Sequence, residues 1–224
     1  MLELDSEATA FILIDMQNDF CAPEGAFARS GVDVSPAQRI LPVQRRLVAG
    51  ARQGGVPVIF LVSEYASPNN WYLSPTFVAQ ARRRWNGRHT TFPVCPRGTF
   101  GADFFAGLRP QPGDAVVWKH RPDGFIDTDL DTILRSRGIR SLVVAGMTTE
   151  VCVESTVRHA FCRDYTCFVP RDAVAAYDPE MHEHALRALD RFFAEVVDAA
   201  QVLEAWMRRR DGRVADGTER TTRT

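Results

Sequence analysis

The chain is short of several things, and each shortage closes off a class of function. Its longest apolar runs, such as Val56-Pro-Val-Ile-Phe-Leu-Val62, fall far below the roughly 20 residues that span a bilayer, and no basic-then-apolar leader opens the sequence. An excess of one charge is missing too. Against 27 Lys and Arg stand 28 Asp and Glu, so no basic field exists to draw nucleic acid or an anionic membrane. Cysteine is scarce and irregular: five residues, at 21, 95, 152, 162 and 167, form neither an even disulfide framework nor a CxxC or CxxH zinc pair. These absences predict a soluble, cytoplasmic protein with reduced thiols and a small-molecule partner, with no nucleic-acid or membrane partner.

What is present suffices for one large core: 224 residues, 45% of them hydrophobic. We expect a single domain over residues 1–207, followed by a polar, disordered tail over 208–224. Short runs rich in β-branched and aromatic residues, Ala10–Asp15, Val56–Val62, Asp114–Lys119, Ser141–Ala145 and Thr166–Val169, read as buried strands. Between them lie helix-like stretches. Ile40–Gln53 carries Val43, Leu47, Val48 and Ala51 at helical spacing and ends at Gly54-Gly55; Asp129–Arg137 ends at Gly138. Asp178-Pro179 opens a third helix, through Phe193. Alternating strand and helix predicts an α/β fold with a mostly parallel sheet covered on both faces, because parallel neighbours need crossover helices. The segment from Glu64 to Gly113 shows no long periodic helix and scatters Tyr65, Trp71, Tyr72, Phe77, Trp85 and Phe92; a loop of that length serves function or assembly.

Open parallel sheets gather their sites at the carboxyl ends of the strands. Asp15 ends the first strand, Lys119 ends the third, and Cys152 follows the fourth by a few residues, so an acid, a cation and a thiol converge on one edge. In the turn Ala145-Gly-Met-Thr-Thr-Glu-Val-Cys-Val-Glu-Ser, Gly146 permits a tight turn and Thr148 or Thr149 is placed to cap the next helix. Cys152 then falls in that helix's first turn, where the dipole favours thiolate and backbone N–H groups face a developing oxyanion. The other four cysteines have no such setting.

Phe11-Ile-Leu-Ile-Asp15-Met-Gln-Asn-Asp-Phe20, Lys119 with Gly124-Phe125, and Gly146-Met-Thr-Thr-Glu-Val-Cys152-Val resemble the three signature blocks of the isochorismatase-like cysteine hydrolases, across about residues 8 to 205. The resemblance implies a Rossmann-like three-layer αβα sandwich and a catalytic triad of Asp15, Lys119 and Cys152. It also implies a cis Met147–Thr148 peptide, an oxyanion hole from the amides of Thr148 and Cys152, and a homo-oligomer, dimer or tetramer. No cofactor is implied. Nicotinamidases of that family bind a metal through Asp-x-His and a further histidine after the second strand, where this chain has Ser63-Glu64-Tyr65-Ala66-Ser67, so no metal site is expected. His182 and His184, two apart on a helix, cannot share an ion and read as solvated.

The substrate is narrowed less sharply. Leu130–Arg140 and Cys152–Thr156 are most similar to ureidoacrylate hydrolases, whereas Glu64 and Arg83-Arg84-Trp85 resemble biuret hydrolases. Phe20, Trp71 and Phe125 are candidate walls of a flat pocket, and Glu64, Thr149 and Asp190 candidate polar contacts. Arg82–Arg84 either binds a substrate carboxylate or faces solvent. The expected reaction is hydrolysis of a C–N bond in a small ureido or amide compound through a thioester. An N-carbamoyl amine or a primary amide is the alternative substrate, and a non-catalytic ligand binder or thiol redox sensor is the alternative class.

Overall fold

The computed structural model describes all residues except 1, 3, 6, 66–70, 84–93 and 209–224. Seven strands form one sheet: β1 (Thr9–Ile14), β2 (Val58–Ser63), β3 (Ala115–Lys119), β4 (Ser141–Met147), β5 (Thr166–Pro170), β6 (Val174–Ala175) and β7 (Glu195–Val197). Their order is β3-β2-β1-β4-β5-β7, with β6 paired to β4, and every pairing between them is parallel. The five strands read from sequence are found where expected. The short β6 and β7 carry too few residues for an alternation signal to register.

Helices α1 (Asn18–Cys21), α2 (Ala26–Arg29), α3 (Ser35–Gln53), α4 (Pro75–Arg83), α5 (Leu130–Ser136), α6 (Glu154–Cys162) and α7 (Pro179–Phe192) connect the strands, and α8 spans 199–208. Period-two alternation sorts β1 onto two faces. Phe11 and Leu13 join Leu47, Val48, Ala51, Val202 and Trp206 of α3 and α8; Ala10, Ile12 and Ile14 join Leu130, Leu134, Val157, Ala160, Leu186 and Leu189 of α5, α6 and α7. That is the three-layer sandwich expected. Both faces being covered explains why β1, β2 and β4 are apolar nearly throughout.

One expectation, a helix boundary, needs correction. The helix expected from Ile40 begins at Ser35 and runs through Pro42, because Pro36 sits in its first turn, where the missing N–H costs nothing. The segment from Glu64 to Gly113 does contain a helix, α4, whose nine residues are too few to register as periodic; Trp85 and Phe92 lie outside the described residues. Of the expected tail only Arg208 is described, and it ends α8 with its guanidinium on Glu204 at 2.6 Å. Among the described residues no helix is long and apolar enough to cross a membrane.

The chain works outward from β1 to β2 and β3, then crosses to β4 and works outward the other way, so the order reverses between β1 and β4. Crevices above such a reversal are where open α/β sheets bind ligands. Here Gly146 approaches β1 so closely that a Cβ would stand 2.1 Å from the Ile14 carbonyl oxygen, and its φ is +131°. A Gly146→Ala chain therefore clashes with backbone and is strained, and should lose about 3 kcal/mol or more of stability in urea unfolding.

Candidate active site

Asp15 leaves β1 with a φ of 54°, which turns its side chain out of the strand while its N–H still reaches the Leu61 carbonyl at 2.9 Å. The three polar residues that open the next turn but one are buried, and each has a structural task. Gln17 donates to the carbonyls of Ser63 (2.9 Å) and Ala102 (3.1 Å) and accepts from the Ser63 N–H (2.8 Å). Asn18 donates to the Phe100 carbonyl at 2.8 Å. Asp19 accepts from the N–H groups of Ala26 (2.9 Å) and Cys95 (2.8 Å), and a Cβ on Gly101 would lie 2.1 Å from its carboxylate. Together they fasten the loop over 94–104 to the end of β1 and lock Asp15 in place.

Lys119 ends β3 in register with Ser63 of β2, and both side chains are fully buried. Its ammonium donates to Asp15 Oδ2 at 2.8 Å and to Ser63 Oγ at 2.7 Å, and lies 3.4 Å from Cys152 Sγ. Ser63 in turn donates to Asp15 Oδ1 at 2.9 Å. Burial alone would lower the Lys119 pKa, but the charge of Asp15, joined by Cys152 and Tyr65, raises it well above the ordinary value and keeps the cation.

Cys152 sits in a π-helical turn, Thr149–Val153, between the cis Met147–Thr148 peptide and α6. Thr156 donates to the Cys152 carbonyl at 2.7 Å and accepts from the Gly124 N–H at 3.0 Å, which ties the Gly124-Phe125 block to the turn that carries Cys152. Two expectations for this turn fail. Thr148 makes no side-chain cap, its carbonyl instead accepting from the Val151 and Val153 N–H groups, and the buried Thr149 hydroxyl pairs with His182 Nδ1 at 2.8 Å. Nor does the helix start make a thiolate at rest: burial pushes the Cys152 thiol up to about 12, Lys119 pulling it down and Asp15 adding to the rise.

Around this centre the candidate binding residues divide. Phe20 is buried edge-on against Phe27, 5.0 Å between centroids. Phe125 belongs to the buried cluster that holds Cys152 and packs on His159 and Tyr165. Glu64 adjoins the site, but its carboxylate is taken by Arg97 at 3.0 Å, whose guanidinium lies over Trp118. Trp71 is 81% exposed, in the turn that precedes α4. Asp190 is outside the site: exposed at the end of α7, it accepts from the Val196 N–H of the edge strand β7. Arg83 is exposed, and Arg84 lies outside the described residues. His182 corrects the solvated reading, being half-buried on Thr149; burial first, then the charge of Arg171, lowers its pKa, with Glu183 opposing.

Ser63, Gln17 and Tyr65 were missed. Ser63 and Tyr65 stand two apart at the end of β2, so both project to the Lys119 side, and the Tyr65 hydroxyl lies 3.5 Å from Lys119 Nζ and 3.9 Å from Cys152 Sγ. Polar residues closing an otherwise apolar strand were the available signal. Among the described residues no group of three or more His, Cys, Asp or Glu is placed to hold a metal ion.

The isochorismatase domain matches residues 9–201. This chain belongs to the isochorismatase family. Its relatives include ureidoacrylate amidohydrolase RutB of Methylorubrum extorquens, 37% identical over 210 residues that cover 89% of this chain and 83% of that protein. RutB of Caulobacter segnis is 34% identical, over 88% and 85%. A cysteine hydrolase from Pseudomonas syringae has a similar structure, with a TM-score of 0.79 at 26% identity, over 93% of this chain and 97% of that one. N-carbamoylsarcosine amidase from Thermoplasma acidophilum gives 0.66 at 27%, over 85% and 96%. This isochorismatase-family protein is thus a hydrolase, as its sequence blocks implied.

The buried ion pair makes a stability prediction. Lys119→Met leaves the Asp15 charge without its cation and should cost about 3–5 kcal/mol in urea unfolding. Ser63→Ala removes one donor and one acceptor from the same pair and should cost about 1.5–3 kcal/mol.

Proposed function

We propose that the protein hydrolyses a C–N bond of a small ureido or amide compound, ureidoacrylate- or biuret-like, through a thioester on Cys152, releasing ammonia or an amine. One observation carries the reading: a single buried ammonium stands 2.8 Å from the Asp15 carboxylate and 3.4 Å from the Cys152 sulfur. The names of the RutB relatives and the N-carbamoylsarcosine amidase neighbour support the same bond class.

In this mechanism Asp15 accepts the thiol proton and Lys119 stays charged beside the resulting sulfur anion. The sulfur attacks the carbonyl carbon, and the amides of Thr148 and Cys152 receive the oxyanion. Asp15 returns its proton to the departing nitrogen, then takes one from the water that cleaves the thioester. Burial pushes the Cys152 thiol up, and in this scheme the Asp15 carboxylate takes its proton as the sulfur attacks. The reaction needs no metal in this scheme, consistent with Ser63 and Glu64 being engaged by Lys119 and Arg97.

Geometry also bears on the far half of the substrate. With Asp190 at the end of α7, bonded to the edge strand, and the Glu64 charge offset by Arg97, the case for a cationic or strongly N–H-donating distal group is weakened, which favours a ureidoacrylate-like compound over biuret. We further propose a homo-oligomer that covers the exposed Trp71; a monomeric mass in solution would refute it.

Ammonia release from ureidoacrylate, biuret, N-carbamoyl amino acids and simple primary amides, measured side by side, tests the reading. Turnover of a ureido compound, lost by about a thousandfold or more in Cys152→Ala, is the expected outcome. No turnover on any of them, with ready oxidation of Cys152, would favour the redox-sensor alternative. Asp190→Ala should leave turnover of the best substrate within about twofold of wild type, as a surface change remote from the chemistry does.

A further inference from the structure

We propose that Tyr65 is a further catalytic residue whose phenol donates a hydrogen bond to the Cys152 sulfur as that sulfur becomes an anion. The inference rests on the reading of Cys152 as nucleophile and adds a group to its machinery.

Hydrogen counting drives it. An ammonium has three N–H donors and no lone pair. Two go to Asp15 Oδ2 and Ser63 Oγ, at 2.8 and 2.7 Å, and the remaining one faces the gap between Cys152 Sγ at 3.4 Å and Tyr65 Oη at 3.5 Å. Lys119 therefore cannot accept the phenol's hydrogen. Cys152 Sγ, 3.9 Å from the phenol oxygen, can. Ser63, the other polar side chain beside the phenol among the described residues, gives its own proton to Asp15 and already accepts from Lys119. A sulfur anion attracts the remaining proton more strongly than a hydroxyl oxygen already in use, since bonds to charged acceptors are about twice as strong.

The phenol is also held in place. Its backbone N–H donates to the Val94 carbonyl at 3.1 Å in an isolated antiparallel bridge, and its ring leans on Phe77 of α4, 5.4 Å between centroids. Lys119 Nζ lies 5.6 Å from the ring centre, which adds cation–π attraction from the same neighbour. Burial, with the charge of Cys152 adding, pushes the phenol well above its ordinary range, so it stays protonated and remains a donor throughout neutral pH.

The protons balance simply. The thiol proton passes to Asp15, the sulfur anion is left facing Lys119 and Tyr65, and Tyr65 lends its hydrogen without losing it. When the C–S bond forms, one sulfur lone pair becomes that bond, the negative charge moves to the carbonyl oxygen, and the phenol's hydrogen bond to sulfur weakens. Donors to the charged form lower a pKa, so Tyr65 offsets part of the penalty that burial imposes on the Cys152 anion.

Tyr65→Phe keeps the ring and its Phe77 contact and removes only the hydroxyl. Alkylation by iodoacetamide, resolved by peptide mass spectrometry from pH 6 to 10, reads the Cys152 anion without any substrate; the exposed Cys162 serves as internal reference. Alkylation of Cys152 in Y65F should slow about tenfold at a given pH, the equivalent of one pKa unit, with Cys162 unchanged, and kcat should fall by a similar factor with KM little altered. A Tyr65→Leu chain, which loses the ring as well, should show at least the same slowing at Cys152. Superposable Cys152 profiles for wild type and Y65F would overturn the proposal. Because C152A turnover is measured separately, full activity in that variant would refute the nucleophile reading, whereas an unchanged Y65F profile beside a dead C152A refutes Tyr65 alone.

Discussion

The ion pair between Lys119 and Asp15 is the constraint to which the rest of the site is fitted. Two full charges are held out of water, a situation tolerable only when each has its partner and its remaining hydrogen-bonding capacity is used. Ser63 meets that demand by accepting from one and donating to the other. Gln17 then fixes Ser63 by gripping both its backbone N–H and its carbonyl. The pair is thus held by strand registers and not by flexible side chains alone: β1 delivers the acid, β2 the hydroxyl and β3 the cation. Such a pair is weak evidence for stability in general, and its retention here makes sense as the electrostatic seat of a thiol.

That seat explains an apparent conflict. A nucleophilic cysteine is often a standing thiolate, whereas burial pushes the thiol of Cys152, the proposed nucleophile, up to about 12. An adjacent carboxylate and an adjacent cation reconcile the two. The carboxylate gives the proton somewhere to go, and the cation limits the energy of the anion it leaves behind. Neutral rest also guards the thiol, because an idle thiolate is the form that oxidises.

Much of this was legible in the chain. Apolar runs separated by helical spacing gave the five main strands, and asking which reactive residues stand at strand ends brought Asp15, Lys119 and Cys152 together across more than a hundred residues. Illegible were the residues whose role depends on register. Ser63 matters only because it stands opposite Lys119, and Tyr65 only because it lies two residues further along the same side. Asp190 illustrates the same limit: sequence carries no information on which end of a helix abuts the edge strand, and the late residues of α7 lead into β7. The capping expectation for Thr149 was reasonable locally and lost to a long-range partner, His182, thirty-three positions away.

The polar run Gln17-Asn18-Asp19 gives the fold a division of labour over evolutionary time. It fastens residues 94–104 to the turn after β1 that carries Asp15, so substitutions there disturb the proposed chemistry. The stretch over 71–83 is held differently, by the Arg121 guanidinium on the Tyr72 carbonyl at 2.7 Å and the stacking of Tyr72 on His120, and meets the site where Phe77 packs on Tyr65. Substitutions over 71–83 can therefore reshape that approach to the site while the arrangement of Asp15, Lys119 and Cys152 is left undisturbed.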